Sequence, residues 1–376
     1  MEDLVLESRK VRVAIAGVGN CALSLLQGIS YYRAQGTHGN QVGLMHYDIG
    51  GLTPGDIEVV CAFDIDVRKV GKPLGEAAKA KPNCTTMFFD DLAFCQAEVF
   101  MGPVFDGYSP LMDAYPEDDR FLVADLEPVD VGKVLQEKDV EILISYLPVG
   151  ADQATRYYAG QCLKTGVSLI NCIPSFVVSD PEWYNRFDRA GIPIIGDDVK
   201  SQVGATIVHR ALSALLGERG AKIRRTYQLN VGGNTDFMNM LDRTRLKFKK
   251  ISKTEAVVST IEGEIESRNV HIGPSDYVPW QRDNKVCFLR IEAEGFLGAP
   301  IELELRLSVE DSPNSGGVIV DAIRFLKLAR ERGQSGPLYP ACAYFMKRPP
   351  VQMDEKEARG KLEAFLQGSI KEKGCQ

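Results

Sequence analysis

The run VRVAIAGVGNCALSLLQGISYYR, residues 11–33, limits what this chain can fold into more than any other stretch. A short apolar strand runs into two glycines one residue apart, and helical periodicity begins at once. Gly17-Val18-Gly19-Asn20-Cys21-Ala22 fits G-x-G-x-x-G/A. Gly17 permits the tight turn, Gly19 lets a pyrophosphate reach the backbone, and Ala22 allows close helix–strand packing. The helix start, with Asn20 and Cys21 beside it, favours an anion. The next apolar strand, IEVVCAFDID, ends in Asp64, placed to bond the adenosine ribose hydroxyls and to favour NAD over NADP; Asp66 is the alternative. Asp64 lies at about twice the usual ~20-residue distance from the turn. A glycine-rich insertion at roughly 34–55 accounts for the difference. NAD binding is the expectation, and a Rossmann-like turn without a nucleotide is the competing reading.

VEILISYLP (140–148), VSLINCIP (167–174) and IPIIGDD (192–198) read as further buried strands, with helical segments such as ADQATRYYAGQCLKTG between them. Alternation of continuously apolar strands with helices implies a parallel sheet covered on both faces. Ser145 falls at the carboxyl end of such a strand, where open α/β sheets bind ligands, or is an ordinary loop residue. Tyr158 lines the same cleft or packs within its helix. After about residue 220 the pattern changes. In IELELRLSVE, Ile301, Leu303, Leu305, Leu307 and Val309 share one face, while Glu302, Glu304, Arg306, Ser308 and Glu310 share the other. A sheet wet on one side is expected to be antiparallel. SGGVIVDAIRFLKLARERG then returns to a long amphipathic helix. The expected division is residues 1–199 plus 312–376 for the first domain and 200–311 for an inserted second one.

At 376 residues the chain is long enough for two cores, and 44% hydrophobic residues argue against global disorder. No apolar run reaches the roughly 20 residues of a membrane helix, and MEDLVLESRK is no signal peptide. A net charge of −7 argues against nucleic acid as a partner. Nine cysteines without a C-x-x-C pair read as buried free thiols in a reducing cytoplasm. Four histidines, none spaced as a metal pair, make a histidine/cysteine zinc site an unlikely feature of this chain.

Against that acidic background LKFKKISK, residues 246–253, gathers Lys247, Lys249, Lys250 and Lys253. If a helix covers them, Lys249 and Lys253 share a face, at a cost of a few tenths of a kcal/mol. Two lysines aimed at one spot suit a phosphate or a developing oxyanion; the alternative is a solvated surface run. GDDVKSQVGATIVHR (196–210) places Asp197, Asp198, Lys200 and Ser201 between a strand end and a helix start. Asp198 or Asp197 can take a proton or hold a hard cation, or the pair caps the helix. LNVGGNTDFMNM (229–240) offers Asn230, Asn234, Asp236 and Asn239 to the hydroxyls of a polyol. DSPNSGG puts Asp311 and Ser312 before another helix.

Taken together, VRVAIAGVGNCA, GDDVKSQVGAT, LNVGGNTDF, KKISKT, HIGPSD, DSPNSGGVIVDA and AYFMKRPP resemble the myo-inositol-1-phosphate synthase family, in its compact bacterial and archaeal form. The resemblance runs through nearly the whole chain. It implies an α/β fold: a Rossmann-like doubly wound parallel sheet with an inserted α+β catalytic and oligomerisation domain, in a cytoplasmic homotetramer. It implies conversion of glucose 6-phosphate to inositol 3-phosphate, the first step of inositol and phospholipid biosynthesis. The family oxidises C5, enolises C6, closes C6 onto C1 and returns the electron pair to C5, so NAD is regenerated. The family's catalytic lysines match Lys249, Lys253, Lys285 and Lys347, with Lys253 also on the substrate. Asp198 and Asp311 match its active-site acids. Asp197, Ser201, Asp236 and Lys249 fall in motifs that close over the cofactor, and Asn230 and Asn234 in the substrate-binding motif. A divalent ion (zinc, magnesium or manganese) is a further implication, with no ligands that spacing identifies. No nucleic acid or membrane partner is expected.

Overall fold

The structure, a computed structural model, describes residues 9–36, 41–261, 263 and 265–368, without the side chains of residues 247, 249, 250, 274 and 275. The chain order is β1 (Val11–Ala16), α1 (Asn20–Gln35), β2 (Ile57–Asp64), α2 (Leu74–Ala77), β3 (Val99–Met101), α3 (Val131–Glu137), β4 (Ile142–Ser145), α4 (Asp152–Thr165), β5 (Ser168–Asn171), α5 (Pro181–Arg189) and β6 (Pro193–Ile194). There follow α6 (Ala205–Glu218), β7 (Lys222–Gly232), α7 (Thr235–Asn239), α8 (Lys247–Val258), β8 (Val270–Tyr277), β9 (Asn284–Glu294) and β10 (Pro300–Glu310). Then come α9 (Pro313–Glu331), β11 (Gly336–Pro337), α10 (Tyr339–Phe345) and α11 (Glu355–Leu366).

The first sheet is parallel, in the order β3-β2-β1-β4-β5. A parallel bridge from Ile170 to Ile195 carries it on toward β6, which pairs with β11. β4 and β5 are buried along their length, as continuously apolar strands must be when helices cover both faces. The strand ends at Ala16, Asp64 and Ser145 line up, so loops after β1, β2 and β4 open on one edge. That edge holds the cleft described below.

The glycine-rich insertion after α1 is tied to α9 rather than left to solvent. Arg324 of α9, fully buried, donates to the carbonyls of His46 (2.8 Å) and Tyr47 (2.6 Å), and Asp321 accepts the Met45 N–H at 2.6 Å. Loop backbone that would otherwise be orphaned is satisfied by one buried ion pair, Asp321–Arg324. Burial pushes the Asp321 carboxyl up to about 6, against the neighbouring guanidinium.

The second sheet has the order β10-β9-β7-β8. Its inner face, Ile223, Cys287, Leu289, Ile291 and Ala293, packs with Leu212 and Leu216 of α6 and with Ile301, Leu303 and Leu307 of β10. The alternation predicted for β10 is present from Pro300 to Ser308, where every second residue is exposed, while Glu310 is half-buried. The sheet is mixed rather than antiparallel, because β8 runs parallel to β7. The chain reaches it by a crossover through α7 and α8, long enough for a parallel return. α8 begins at Lys247, so Lys249 and Lys253 lie one turn apart in the same helix.

Gly17 has φ +96°, and a Cβ there would lie 2.6 Å from the Tyr146 carbonyl oxygen; at Gly19 nothing lies within 4 Å of a Cβ. Gly17→Ala is therefore expected to lower the thermal midpoint, by roughly 1–3 kcal/mol of backbone strain plus the clash. Gly19→Ala should melt near wild type and weaken only what sits above the turn. Circular-dichroism melts check this, and equal losses in the two variants would contradict it.

Candidate active site

The larger cleft is walled by the glycine turn and Asp64, by the segment after β4 from Tyr146 to Val149, by Asn234–Asp236 around the start of α7, and by Asp311–Ser312 before α9. Val18 of the turn is held through both its N–H and its carbonyl. Its N–H donates to Asp64 Oδ2 at 2.7 Å. Its carbonyl accepts from Lys69 Nζ at 2.8 Å and Asn83 Nδ2 at 3.0 Å. Asn20 Oδ1 accepts the N–H groups of Cys84 (2.7 Å) and Thr85 (3.1 Å), and Cys21 Sγ lies 3.8 Å from Ser312 Oγ. Ala22 is buried, and α1 starts with no side-chain cap on its amides. Asp66 is also fully buried, and Arg68 and the Leu122 N–H occupy its carboxylate. Of Asp64 and Asp66, Asp64 is the one that lines the cleft.

Tyr158 lines this cleft and packs on Phe63, ring centroids 5.7 Å apart. Ser145, fully buried and outside the lining, directly precedes the lining residue Tyr146; its Oγ has no hydrogen-bond partner among the described residues, nor has Tyr146 Oη. Orphaned buried hydroxyls are uncommon and point to a missing partner. Open space at Gly19, uncapped helix amides and these hydroxyls together fit a dinucleotide.

A second, smaller pocket adjoins through Asp311 and Val199. It is lined by Ser201, by Gly204 and Thr206 at the start of α6, and by Lys253, Lys285 and Lys347. The lysines come from α8, β9 and the segment after α10. Lys285 Nζ donates to Asp311 Oδ1 at 2.9 Å. Lys347 Nζ donates to Asp198 Oδ1 at 2.9 Å and to the Val199 carbonyl at 2.6 Å. Ser252 Oγ holds the other Asp198 oxygen at 2.7 Å. Three lysines converge here with the positive end of a 14-residue helix, an arrangement whose chemistry suits an anion. Lys249 lies one turn before Lys253, with its side chain outside the described residues.

Other candidates have structural work. Asp197 is fully buried and accepts from Asn171 Nδ2, from the N–H groups of Val177, Val178 and Ser179, and from Ser179 Oγ. It anchors that loop and does not face the cofactor cleft; burial pushes it up to about 6 against those donors. Asn230 is buried within β7 and donates to the Gly273 carbonyl at 2.8 Å. Asn234 caps α7 and donates to Asp283 Oδ1 at 2.8 Å. Asn239 donates to the Val149 carbonyl at 2.7 Å. Asp236 lines the larger cleft.

Sequence reasoning passed over three features. One is the α6 start, Gly204–Thr206, whose signal was the small-residue GAT before an amphipathic helix. Another is Lys69. The third is Asp283, buried and bonded by Asn234, by Ser312 Oγ at 3.0 Å and by Thr85, so that it joins both halves of the site. Among the described residues, no three histidine, cysteine or acidic side chains come together as a metal site.

A family model described as myo-inositol-1-phosphate synthase matches residues 204–312. The chain is 49% identical to an inositol-3-phosphate synthase of Corynebacterium glutamicum, over 95% of this chain and 98% of that protein. It is 48% identical to an inositol-3-phosphate synthase of Mycolicibacterium smegmatis, over 96% and 98% of the two. The crystal structure of a myo-inositol-1-phosphate synthase-related protein from Thermotoga maritima shares the fold, with a TM-score of 0.77 and 24% identity over 95% of this chain and 98% of that one.

The anion pocket makes a prediction of its own. Inorganic phosphate should raise the thermal midpoint of the wild-type chain, as any ligand of the folded state does. Lys285→Met should lose that gain. A wild-type midpoint indifferent to phosphate would contradict the site.

Proposed function

Because the chain belongs to the myo-inositol-1-phosphate synthase family, we propose that its two pockets together perform that family's isomerisation of glucose 6-phosphate to inositol 3-phosphate. The activity is that of an inositol-3-phosphate synthase, an isomerase. The observation that carries the site assignment is the Lys285–Asp311 pair, since Asp311 lines the dinucleotide cleft while Lys285 lines the anion pocket.

In this reading the substrate phosphate rests on the α6 amides, Ser201 and Thr206, with the lysines around it. The sugar chain then extends toward Asp311 and the glycine turn. Bound NAD would supply the acceptor, and later the donor, of the electron pair at C5. Gly17, Gly19, Asn20, Cys21, Ala22, Asp64, Ser145, Tyr158 and Asp236 would hold it.

The chain's own residues then manage charge. Loss of the C5 hydroxyl proton builds an alkoxide that oxidation turns into a ketone, loss of a C6 proton builds an enolate, and attack of C6 on C1 places charge on the aldehyde oxygen. Positioned ammonium groups stabilise each of these, most strongly where water is scarce. Lys253, Lys285 and Lys347, which share the smaller pocket, would do so, and the family resemblance adds Lys249. Asp198 and Asp311 accept from Lys347 and Lys285 and hold them in position. Those two acids are engaged by lysines, which does not fit them as ligands of a divalent ion.

We further place the catalytic and assembly unit at 200–311. The outer face of its sheet presents exposed Tyr227 and Phe288 among Arg225, Arg290 and Glu292, a surface suited to a homotetramer. The eight described cysteines are free thiols, consistent with a cytoplasmic setting.

Incubation with glucose 6-phosphate and catalytic NAD, followed by phosphorus NMR, should show an inositol monophosphate without stoichiometric NADH. Loss of substrate matched by rising NADH would mean a net oxidoreductase instead.

A further inference from the structure

The dinucleotide cleft has an unbalanced charge set. Among the described residues its charged lining is Asp64, Lys69, Asp236 and Asp311. Asp311 is paired with Lys285 of the adjoining pocket, and Lys69 is the one cation in the described lining of the cleft itself.

Lys69 is 1% exposed. Its Nζ donates to the Val18 carbonyl at 2.8 Å and to Asn83 Oδ1 at 3.0 Å. Among the described residues its third N–H has no acceptor, and no carboxylate is in contact with it. Asp64 and Asp66 act on it only at a distance, while burial lowers its pKa. A buried ammonium without a contacting counter-charge is costly. Nor does the turn need it as a donor, because Asn83 Nδ2 already donates to the same Val18 carbonyl at 3.0 Å. What Lys69 alone adds is charge.

We propose that Lys69 is a dinucleotide-binding residue, whose ammonium supplies the positive charge that lets a diphosphate sit on a glycine turn flanked by carboxylates. The proposal rests on the NAD reading above and names a residue outside the glycine motif. The bound diphosphate would be the counter-charge that the folded chain lacks, and the third N–H would gain an acceptor on it or on the adjoining ribose.

The test is isothermal titration of NADH into the full chain as wild type, Lys69→Met and Lys69→Gln. Glutamine keeps a donor for Val18 but carries no charge. Both variants should weaken NADH roughly ten- to hundred-fold, the range for hydrogen bonds to charged groups. Neither should melt below wild type in the absence of nucleotide, since a poorly compensated charge has been removed. Wild-type affinity in Lys69→Gln would overturn the proposal and leave Lys69 as a turn brace. A marked loss of folding in both variants would also overturn it, by showing that the charge is compensated within the fold. Failure of the wild type to bind NADH would instead overturn the dinucleotide reading itself.

Discussion

Like charges in a confined space repel, and the anion pocket exists because two carboxylates reach it from elsewhere in the fold. Asp311 stands at the junction of β10 and α9, where the chain returns to the parallel sheet, and it takes Lys285 of β9. Asp198 stands between β6 and α6, where the chain leaves that sheet, and it takes Lys347 from beyond α10. Both pairs therefore sit at crossings between the two sheets. Asp198 is almost fully buried. Removing its lysine would strand a carboxylate in a poor solvent, a costly change. The arrangement fixes the positions of the two ammonium groups within the fold.

The glycine turn obeys the same rule with opposite signs. Asp64 accepts the Val18 N–H and Asn83 donates to the Val18 carbonyl, so the peptides on either side of Val18 are set before a nucleotide binds, with Lys69 adding its charge at the same carbonyl. Asn20 ties the turn to Thr85, and Asp283 ties Thr85 to Asn234 and Ser312. Such a chain of buried, satisfied polar groups is rigid. It links the floor of the nucleotide cleft to the start of α9, and so to Asp311. Catalysis by positioned charge depends on that rigidity, because the groups must not reorganise when the substrate ionises.

Much of this was legible in the sequence, for definite reasons. The first sheet could be read because continuously apolar strands, alternating with helices, have few other solutions. Gly17 and Gly19 could be read because a turn and an anion each require them. Lys285 and Lys347 had no local signal at all. Their meaning lies in pairs 26 and 149 residues apart in the chain, visible only once the fold closes or through family resemblance. Asp197 and Asn230 looked like site residues because both are polar and stand in polar company. Sequence does not say which way a loop or strand side chain faces, and both face inward. The parallel β7–β8 pairing was hidden similarly: alternation reports a wet face, not the direction of the neighbouring strand.

The central claim is that one chain oxidises and then reduces the same carbon, with lysines carrying the charge between. Glucose 6-phosphate labelled with deuterium at C5 tests it directly. The account predicts an inositol monophosphate that keeps the deuterium on that carbon, with no accumulation of labelled NADH. Deuterium lost to solvent, or collecting in NADH as the sugar is consumed, would contradict it.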